Sequence, residues 1–171
     1  MHTYEEKKFN LPELAGLSAK QIEVHLKLYG GYVKFVNTLR ETLEDLRKDS
    51  EKNAYALGEV VRRFGFEFNG MRLHEYYFGG FENGAVAPNT NSALAKTLIE
   101  KYGSWDGFMI HMKSIALMRG IGWAVLYHDP VVNQPHVAFV ADHEVGMLAG
   151  LPIILTLDMW EHAFMVDYTP A

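Results

Sequence analysis

Apolar and aromatic residues recur at steps of three and four along two segments of the first half of the chain. The first series is Ile22, His25, Tyr29, Tyr32, Val36, Leu39, Leu43 and Leu46, and the second is Leu57, Val60, Phe64, Phe68, Met71, His74, Phe78 and Phe81. This spacing puts each series on one face of a helix. Ser18 is a suitable N-cap for the first helix, and the polar residues 49–53 form a turn between the two. The pattern predicts an antiparallel helical hairpin.

Each of these helices carries one histidine within its apolar face. His25 lies 26 residues before Glu51, near the turn, and His74 lies 23 residues after it. At a rise of about 1.5 Å per residue, the two histidines differ in level by only about 4.5 Å. A single histidine on an apolar face is usually an ordinary core residue, whereas two that face each other at the open end of a hairpin favour a shared function.

The second half of the chain has a different pattern. Residues 84–92 are small and turn-rich, which is typical of a linker. Two helical segments and three short β-rich runs follow, at 93–102, 105–118, 122–127, 136–141 and 152–157. The fold class predicted is α+β: an N-terminal antiparallel helical hairpin, then a C-terminal α/β lobe with a small three-stranded antiparallel sheet. The domains predicted are 1–83 and 93–171, joined by the linker 84–92.

The composition of the chain excludes several classes of function. The chain has 171 residues, a net charge of −5, no cysteine and eight histidines. The acidic balance argues against binding to nucleic acid or to an anionic membrane. No run of 18 apolar residues and no apolar leader at the N-terminus is found, so we expect a cytoplasmic protein that does not span a membrane. Without cysteine, a transition-metal site has to be built from imidazole and carboxylate groups.

A candidate for such a site comes from the last part of the chain. Asp158 and His162 are four residues apart, a spacing that places both on one face of the helical segment predicted there. Together with His25 and His74 they supply three neutral imidazoles and one carboxylate. This donor set suits iron, manganese or zinc.

The segment Leu157-Asp-Met-Trp-Glu-His-Ala-Phe164 resembles the Asp-x-Trp-Glu-His-Ala motif of iron/manganese superoxide dismutases. Weaker matches run in order from about residue 9 to residue 168, and they include Phe68-Asn69 before His74 and Arg119-Gly-Ile-Gly-Trp123. The resemblance implies superoxide as the substrate and one Fe or Mn ion as the cofactor. It implies the metal ligands His25, His74, Asp158 and His162.

The resemblance also implies two catalytic residues, Tyr32 and His143. Members of the family use a Gln or a His to hydrogen-bond the metal-bound solvent; His143 lies near the place of that His, while the alternative place for the Gln is Gly70. By resemblance, a histidine in this role weakly favours iron over manganese as the metal. Tyr32 matches the active-site tyrosine with a spacing to His25 one residue shorter than usual, and seven residues keep it on the face of His25. The alternatives are that Tyr32 only packs between the helices and that His143 is an exposed loop residue.

Departures from the family concern the subunit interface and the C-terminus. Tyr29 stands in place of a histidine near the substrate entrance, and Met165 stands in place of the tyrosine that pairs with that histidine across the dimer. The family has a glutamate that bonds a metal-binding histidine of the neighbouring subunit, and Glu161 matches it. The resemblance therefore implies a homodimer with Glu161 at its interface. The chain ends at Ala171, short of the arginine and terminal helix expected of the family.

Further residues are assigned more simply. The resemblance implies that Trp123 and Trp160 form an apolar wall around the metal. The remaining histidines are expected to be surface or structural residues: His2, His111, His128 and His136.

Three functions are compatible with these observations. The first is a superoxide dismutase, and the alternative is a related metal-binding protein without dismutase activity. A zinc hydrolase is disfavoured because Glu75 follows His74 but Phe78 occupies the position where an H-E-x-x-H motif needs its second histidine.

Overall fold

A computed structural model describes residues 3–169, and its architecture confirms the predicted fold class. Two long helices are followed by two shorter helices and a three-stranded antiparallel sheet. In chain order the elements are α1 (Ala19–Arg47), α2 (Ala54–Gly79), α3 (Ala93–Tyr102), α4 (Trp105–Ala116), β1 (Gly122–Asp129), β2 (Gln134–Ala141), β3 (Ile153–Asp158) and a short 3-10 helix (Glu161–Ala163). None of the helices within residues 3–169 is long and apolar enough to cross a membrane.

The helical hairpin forms as its periodicity predicts. Ser18 caps α1, since its side chain accepts a hydrogen bond from the Gln21 amide at 3.0 Å. The helix continues without a break through Gly30 and Gly31. Of the sixteen residues of the predicted contact face, nine are half-buried and seven are buried: His25, Tyr29, Val36, Leu43, Met71, His74 and Phe78. Phe81 lies beyond the end of α2 and packs against the same core from the following turn.

The sheet separates two apolar cores. Its strand order is β2-β1-β3, with both pairs antiparallel. Along the central strand β1, alternate side chains face opposite sides, as strand geometry requires. Trp123, Val125 and Tyr127 join the core of the helical hairpin, while Ala124 and Leu126 join a second core with α3 and α4. Both faces of β1 are therefore covered, and its end at Trp123 lies against the hairpin.

The helix predicted around Asp158 and His162 is wrong. Asp158 is the last residue of β3 and pairs with Trp123 of β1, whereas His162 lies in the three-residue 3-10 helix after it. Strand pairing with β1 holds Asp158 extended, so this tertiary contact overrides the helical spacing of the two residues. Helix α4 also ends earlier than predicted, at Ala116.

Candidate metal centre

Four side chains converge where the open end of the hairpin meets the sheet. His25, His74, Asp158 and His162 each offer one ligand atom, and these atoms all lie within 4.8 Å of one another. The Asp158 Oδ2 is at the centre of the group: it lies 3.1 Å from Nε2 of His25, 3.1 Å from Nε2 of His162 and 3.6 Å from Nε2 of His74. Among residues 3–169 this is the one group of three or more such side chains placed to share an ion. It contains all four predicted ligands.

The two helical histidines meet as the hairpin arithmetic predicts. The ring centroids of His25 and His74 are 5.0 Å apart, and both side chains are fully buried. Phe78 packs against the His25 ring with a centroid distance of 4.9 Å. The apolar face of the hairpin thus surrounds the two imidazoles and separates them from bulk solvent.

Asp158 and His162 reach the same point by a strand and a turn. The end of β3 carries Asp158 beside Trp123, and the backbone amide of Trp160 donates to Asp158 Oδ1 over 2.9 Å. This contact, from a residue two positions later, stabilises the turn in the manner of an Asx turn. The turn brings His162 back toward the strand end, so the four-residue spacing gives proximity without a helix.

Gln21 is a supporting residue that the sequence reasoning missed. Its side chain, fully buried, donates to the carbonyl of His162 over 2.6 Å and accepts from the amide of Val166 over 2.9 Å. A single amide group therefore fastens the turn that carries His162 to α1. Its position in the sequence could have indicated this role, because Gln21 lies one helical turn before His25 and shares its buried face.

The hydrogen bonding of His74 shows which of its nitrogens faces the group. Its Nδ1 lies 2.6 Å from the carbonyl oxygen of Gly70, one turn earlier in α2. A carbonyl oxygen only accepts, so Nδ1 carries the proton and Nε2 holds a lone pair. That Nε2 is buried and has no hydrogen-bond partner within the described residues. A bound cation would provide the partner that Nε2 of His74 lacks. The same cation would not account for Nδ1 of His25, which is also buried and has no partner among those residues.

Electrostatics keep His25, His74 and Asp158 in the form that binds a metal. Burial lowers the pKa of His74 to about 3 and also lowers the pKa of His25. Burial alone would raise the pKa of Asp158, but hydrogen bonds with His162 and His25 outweigh it, so its pKa lies below the ordinary value. Near neutral pH the buried group therefore includes neutral imidazoles and one carboxylate. Metal binding requires these deprotonated forms.

The separations of the three histidine nitrogens from Asp158 fit a single ion. Two donor atoms that each lie about 2.1 Å from a common ion are about 3.0 Å apart at a right angle and about 3.6 Å apart at 120°. The measured distances of 3.1 Å, 3.1 Å and 3.6 Å from Asp158 Oδ2 fall in this range. Imidazole nitrogens with one carboxylate suit iron, manganese or zinc.

A second layer of hydrogen bonds lies beside the four candidate ligands. The Trp123 Nε1 donates to Nδ1 of His143 over 2.9 Å, and Nε2 of His143 lies 2.7 Å from the Tyr32 hydroxyl. Because an indole N–H only donates, Nδ1 of His143 is the acceptor and the proton of the neutral ring resides on Nε2. His143 consequently donates to the oxygen of Tyr32. Asn69 holds the loop in place by donating to the carbonyl of His143 over 2.8 Å.

Burial and ring contacts describe the surroundings of His143 and Tyr32. His143 is fully buried, so it is not an exposed loop residue. The Tyr32 ring lies 5.1 Å from the His74 ring, which places the phenol beside the candidate ligands rather than only between the helices. Burial lowers the pKa of His143 to about 4 and raises the pKa of Tyr32 above its ordinary value. The phenol therefore keeps its proton at neutral pH.

The absence of a side chain at Gly70 leaves the space that the rings of Tyr32 and His143 occupy. A Cβ at position 70 would lie 2.7 Å from the ring carbons of Tyr32 and 3.2 Å from the His143 ring. A glutamine at this position could not coexist with the two rings in their present places. His143, arriving from a loop after β2, takes the space that such a side chain would need.

The remaining sequence-predicted residues are placed as follows. Trp123 is fully buried against His74, with ring centroids 5.0 Å apart, and Trp160 stacks on His143 and on His162. Tyr29 is also buried, and its hydroxyl accepts from the amide of Lys7 and lies 3.3 Å from Glu75 Oε1. Met165 is 53% exposed.

Outside the site, the other histidines make local contacts. His111 stacks on Tyr102, and His128 contacts the Asn133 side chain. His136 lies in β2 opposite Tyr127. His2 lies outside the described residues. None of the three described here belongs to the group around Asp158.

The site is thus a mononuclear centre with three imidazoles and one carboxylate, and comparisons with known proteins assign it to a family. Residues 90–171 match the family model described as iron/manganese superoxide dismutases, C-terminal domain. An iron superoxide dismutase of Saccharolobus solfataricus is 32% identical over 95% of this chain and 82% of its own length. A manganese superoxide dismutase of Haloarcula hispanica is 33% identical over 82% of this chain and 95% of its own length. The chain belongs to the iron/manganese superoxide dismutase family.

Relatives named for either metal occur among the similar proteins. An iron enzyme of Aquifex pyrophilus is 33% identical over 98% of this chain, and a relative of Aeropyrum pernix is named for both manganese and iron. Most of these relatives are named for iron. The cofactor is accordingly Fe or Mn at a site of three histidines and one aspartate.

Proposed function

We propose that this chain is a superoxide dismutase that converts superoxide into hydrogen peroxide and dioxygen at one Fe or Mn ion. The ligands in this proposal are His25, His74, Asp158 and His162. The observation that carries it is the buried convergence of these four groups, with a lone pair on His74 Nε2 that has no partner among residues 3–169. An ion bound there would supply a centre that alternates between two oxidation states, as disproportionation requires.

The chain's own residues supply the charge and the enclosure for this chemistry. Three neutral imidazoles and one carboxylate leave a divalent or trivalent ion with a net positive charge, which favours a small anion. Trp123 and Phe78 are fully buried beside the imidazoles and keep bulk water away. Low polarity around the site strengthens the attraction between the anion and the ion.

Of the two residues predicted to be catalytic, we assign Tyr32 the role of proton donor and His143 that of a residue that positions it. His143 Nε2–H donates to the Tyr32 oxygen, so the hydroxyl hydrogen of Tyr32 is left to donate elsewhere. Superoxide needs protons when it is reduced to hydrogen peroxide, and a protonated phenol next to the ligands can deliver one. The contact from Trp123 fixes the His143 ring, and His143 in turn orients the phenol.

A homodimer with Glu161 at its interface is part of the same proposal. In the family, the residue matched by Glu161 bonds a metal-binding histidine of the neighbouring subunit, and Glu161 lies on the exposed side of the turn next to His162. Met165, Val166 and Tyr168 are exposed apolar or aromatic residues close by in sequence. Covering such side chains is a usual role of a subunit interface.

Two further sequence predictions remain proposals. We infer that residues 1–83 and 93–171 form two domains joined by 84–92, because the family model that covers 90–171 describes a C-terminal domain. The metal centre would then take two ligands from each domain. The cytoplasmic location stays a sequence-based prediction.

The decisive experiment combines metal analysis with a dismutase assay. The purified protein should contain close to one Fe or Mn per chain and should disproportionate superoxide. His74→Ala should abolish both metal retention and activity, whereas His111→Ala, which alters a histidine stacked on Tyr102, should preserve both. Circular dichroism of each variant checks that the helices persist.

One result would replace this function with its alternative. A protein that binds its metal fully, but whose absorption spectrum does not change when a reductant and then an oxidant are added, would be a metal-binding relative without dismutase activity. Zinc as the native metal would contradict the dismutase assignment and would favour the zinc hydrolase again.

A further inference from the structure

A small opening leads from the surface to the Tyr32 ring. It has a volume of about 260 Å³, and its walls include Tyr32, Phe66, Trp160 and Phe35. Of the described residues that line it, Arg63 is the one basic side chain and Glu67 the one acidic side chain. A molecule that enters here contacts Tyr32, the residue proposed to donate a proton.

Arg63 is held firmly at the edge of this opening. Its Nε and Nη2 donate to Oε1 of Glu67 over 2.8 Å and 2.5 Å. The guanidinium also lies over the Phe66 ring, 4.0 Å from its centroid. The Phe66 ring also packs near the His143 ring, with centroids 4.6 Å apart. A cation–π contact of this kind, added to an ion pair, limits the freedom of the side chain.

The ion pair is oriented with its positive end toward solvent. The side chain of Arg63 is 49% exposed, whereas that of Glu67 is only 6% exposed. The carboxylate therefore lies beneath the guanidinium, closer to the protein interior. An anion that approaches from solvent meets the cation first.

This local charge matters because the chain as a whole is acidic. Its net charge of −5 repels an anion at long range. At physiological ionic strength charges are screened beyond about 8 Å, so a cation at the entrance acts over the last part of the approach. Arg63 fulfils this condition by its place in the wall of the opening.

We propose that Arg63 is a positioning residue that draws anionic substrate into the opening beside Tyr32, with Glu67 and Phe66 holding it in place. The proposal rests on the function proposed above only for the identity of the anion as superoxide. For any small anion that reaches the metal through the same entrance, the same charge should raise the rate of association.

The neighbouring Arg62 provides a matched control. It also pairs with a glutamate on its own helix, Glu59, and its side chain is 66% exposed. It does not line the opening. Arg62→Gln and Arg63→Gln change the net charge of the chain equally, so a difference between them reports the position of the charge.

The first test measures kcat/KM for superoxide as a function of ionic strength. In the wild-type protein the rate should fall as salt is added. Arg63→Gln should lower kcat/KM at low salt about three- to tenfold and flatten this dependence, since the attraction that salt screens has been removed. Arg62→Gln should follow the wild type, and Arg63→Lys, which keeps the charge, should recover most of the loss.

A double variant guards against a folding artefact. Arg63→Gln leaves the buried Glu67 unpaired, a known source of instability. Arg63→Gln with Glu67→Gln removes both charges, keeps the net charge of the chain and should still show the flattened salt dependence. A wild-type salt dependence in this double variant would overturn the proposal.

The second test uses azide as a small anion and does not need turnover. Azide association with the metal-loaded protein is followed by stopped-flow absorption, and Arg63→Gln should lower the association rate constant by a factor similar to its loss in kcat/KM. If the azide association rate depends on Arg63 in a protein without dismutase activity, the entrance is supported while the proposed function fails. If Arg63→Gln equals Arg62→Gln in azide association rate and in salt dependence, Arg63 does not guide anions.

Discussion

The indole of Trp123 donates to Nδ1 of His143, and the opposite nitrogen of the same imidazole faces the hydroxyl of Tyr32 at 2.7 Å. A residue of the central strand therefore determines the hydrogen-bonding state of a phenol on the first helix. Since the indole cannot accept, His143 must donate to Tyr32. The hydroxyl hydrogen of Tyr32 is directed away from His143 as a result.

The first prediction concerns position 143. His143→Gln keeps an acceptor for the indole and a donor for the phenol, so it should retain activity within about tenfold of the wild type. His143→Leu removes both hydrogen bonds and should lose about 10- to 100-fold in kcat, as is common when an outer hydrogen-bonding residue of a metal site is removed. Stopped-flow measurement of superoxide decay at equal metal content separates the two variants. Equal activity of the two would show that the hydrogen bonds of His143 have no part in catalysis.

The second prediction concerns the space beneath Tyr32. Gly70→Ala places a Cβ 2.7 Å from the Tyr32 ring carbons, so the ring must move, and we expect a loss of about 1–3 kcal/mol in the free energy of unfolding. Gly58→Ala, in the same helix but with nothing within 4 Å of its Cβ, should instead stabilise the protein by up to about 1 kcal/mol. Urea unfolding of both variants measures the difference. A neutral Gly70→Ala would mean that Tyr32 has room to shift.

The features that the sequence predicted are those that follow from local periodicity. The levels of His25 and His74 depend only on helix rise and on a short turn, and the two rings meet as expected. The geometry of Asp158 could not be read in this way, because its backbone is fixed by pairing with Trp123, thirty-five residues earlier. Helical spacing predicted correctly that Asp158 and His162 lie close together, but a strand end and a turn bring them together rather than a helix.

Other features of the site depend on contacts between distant parts of the chain. Gln21 and His162 are 141 residues apart in sequence, and nothing in the composition of either segment indicates that they touch. Arg63 and Glu67 follow a common helical spacing, which usually marks a solvated ion pair. Only the packing of Phe66 and Tyr32 beside them shows that this pair borders the entrance.

The third prediction tests Gln21 as the support of His162. Gln21→Met keeps the side-chain volume but leaves the His162 carbonyl and the Val166 amide without their partner, so metal affinity should fall about 10- to 100-fold. Asn37→Ala is the control, because Asn37 also bonds two backbone groups of a distant residue, Tyr4, far from the metal. It should lower the unfolding free energy without changing metal affinity. Competition with a chelator measures the affinity, and an equal loss in both variants would contradict the role of Gln21.

The last prediction concerns the pH dependence of stability in the metal-free protein. Burial lowers the pKa of His143 to about 4 and that of His74 to about 3, against an ordinary value of about 6.5. The unfolded chain therefore binds these protons at a higher pH than the folded chain. Stability from both groups is complete above about pH 6.5 and is lost as the pH falls toward 4 and then 3.

His143→Gln isolates one part of this loss. For His143 the difference between the two states corresponds to about 3 kcal/mol when it is fully expressed. A glutamine does not titrate, so the variant should lose less unfolding free energy than the wild type between pH 6.5 and pH 4. Urea unfolding of the metal-free proteins across this range gives the two slopes. Identical slopes would mean that His143 accepts its proton as readily in the folded protein as in the unfolded chain, against the burial and the indole contact that hold it neutral.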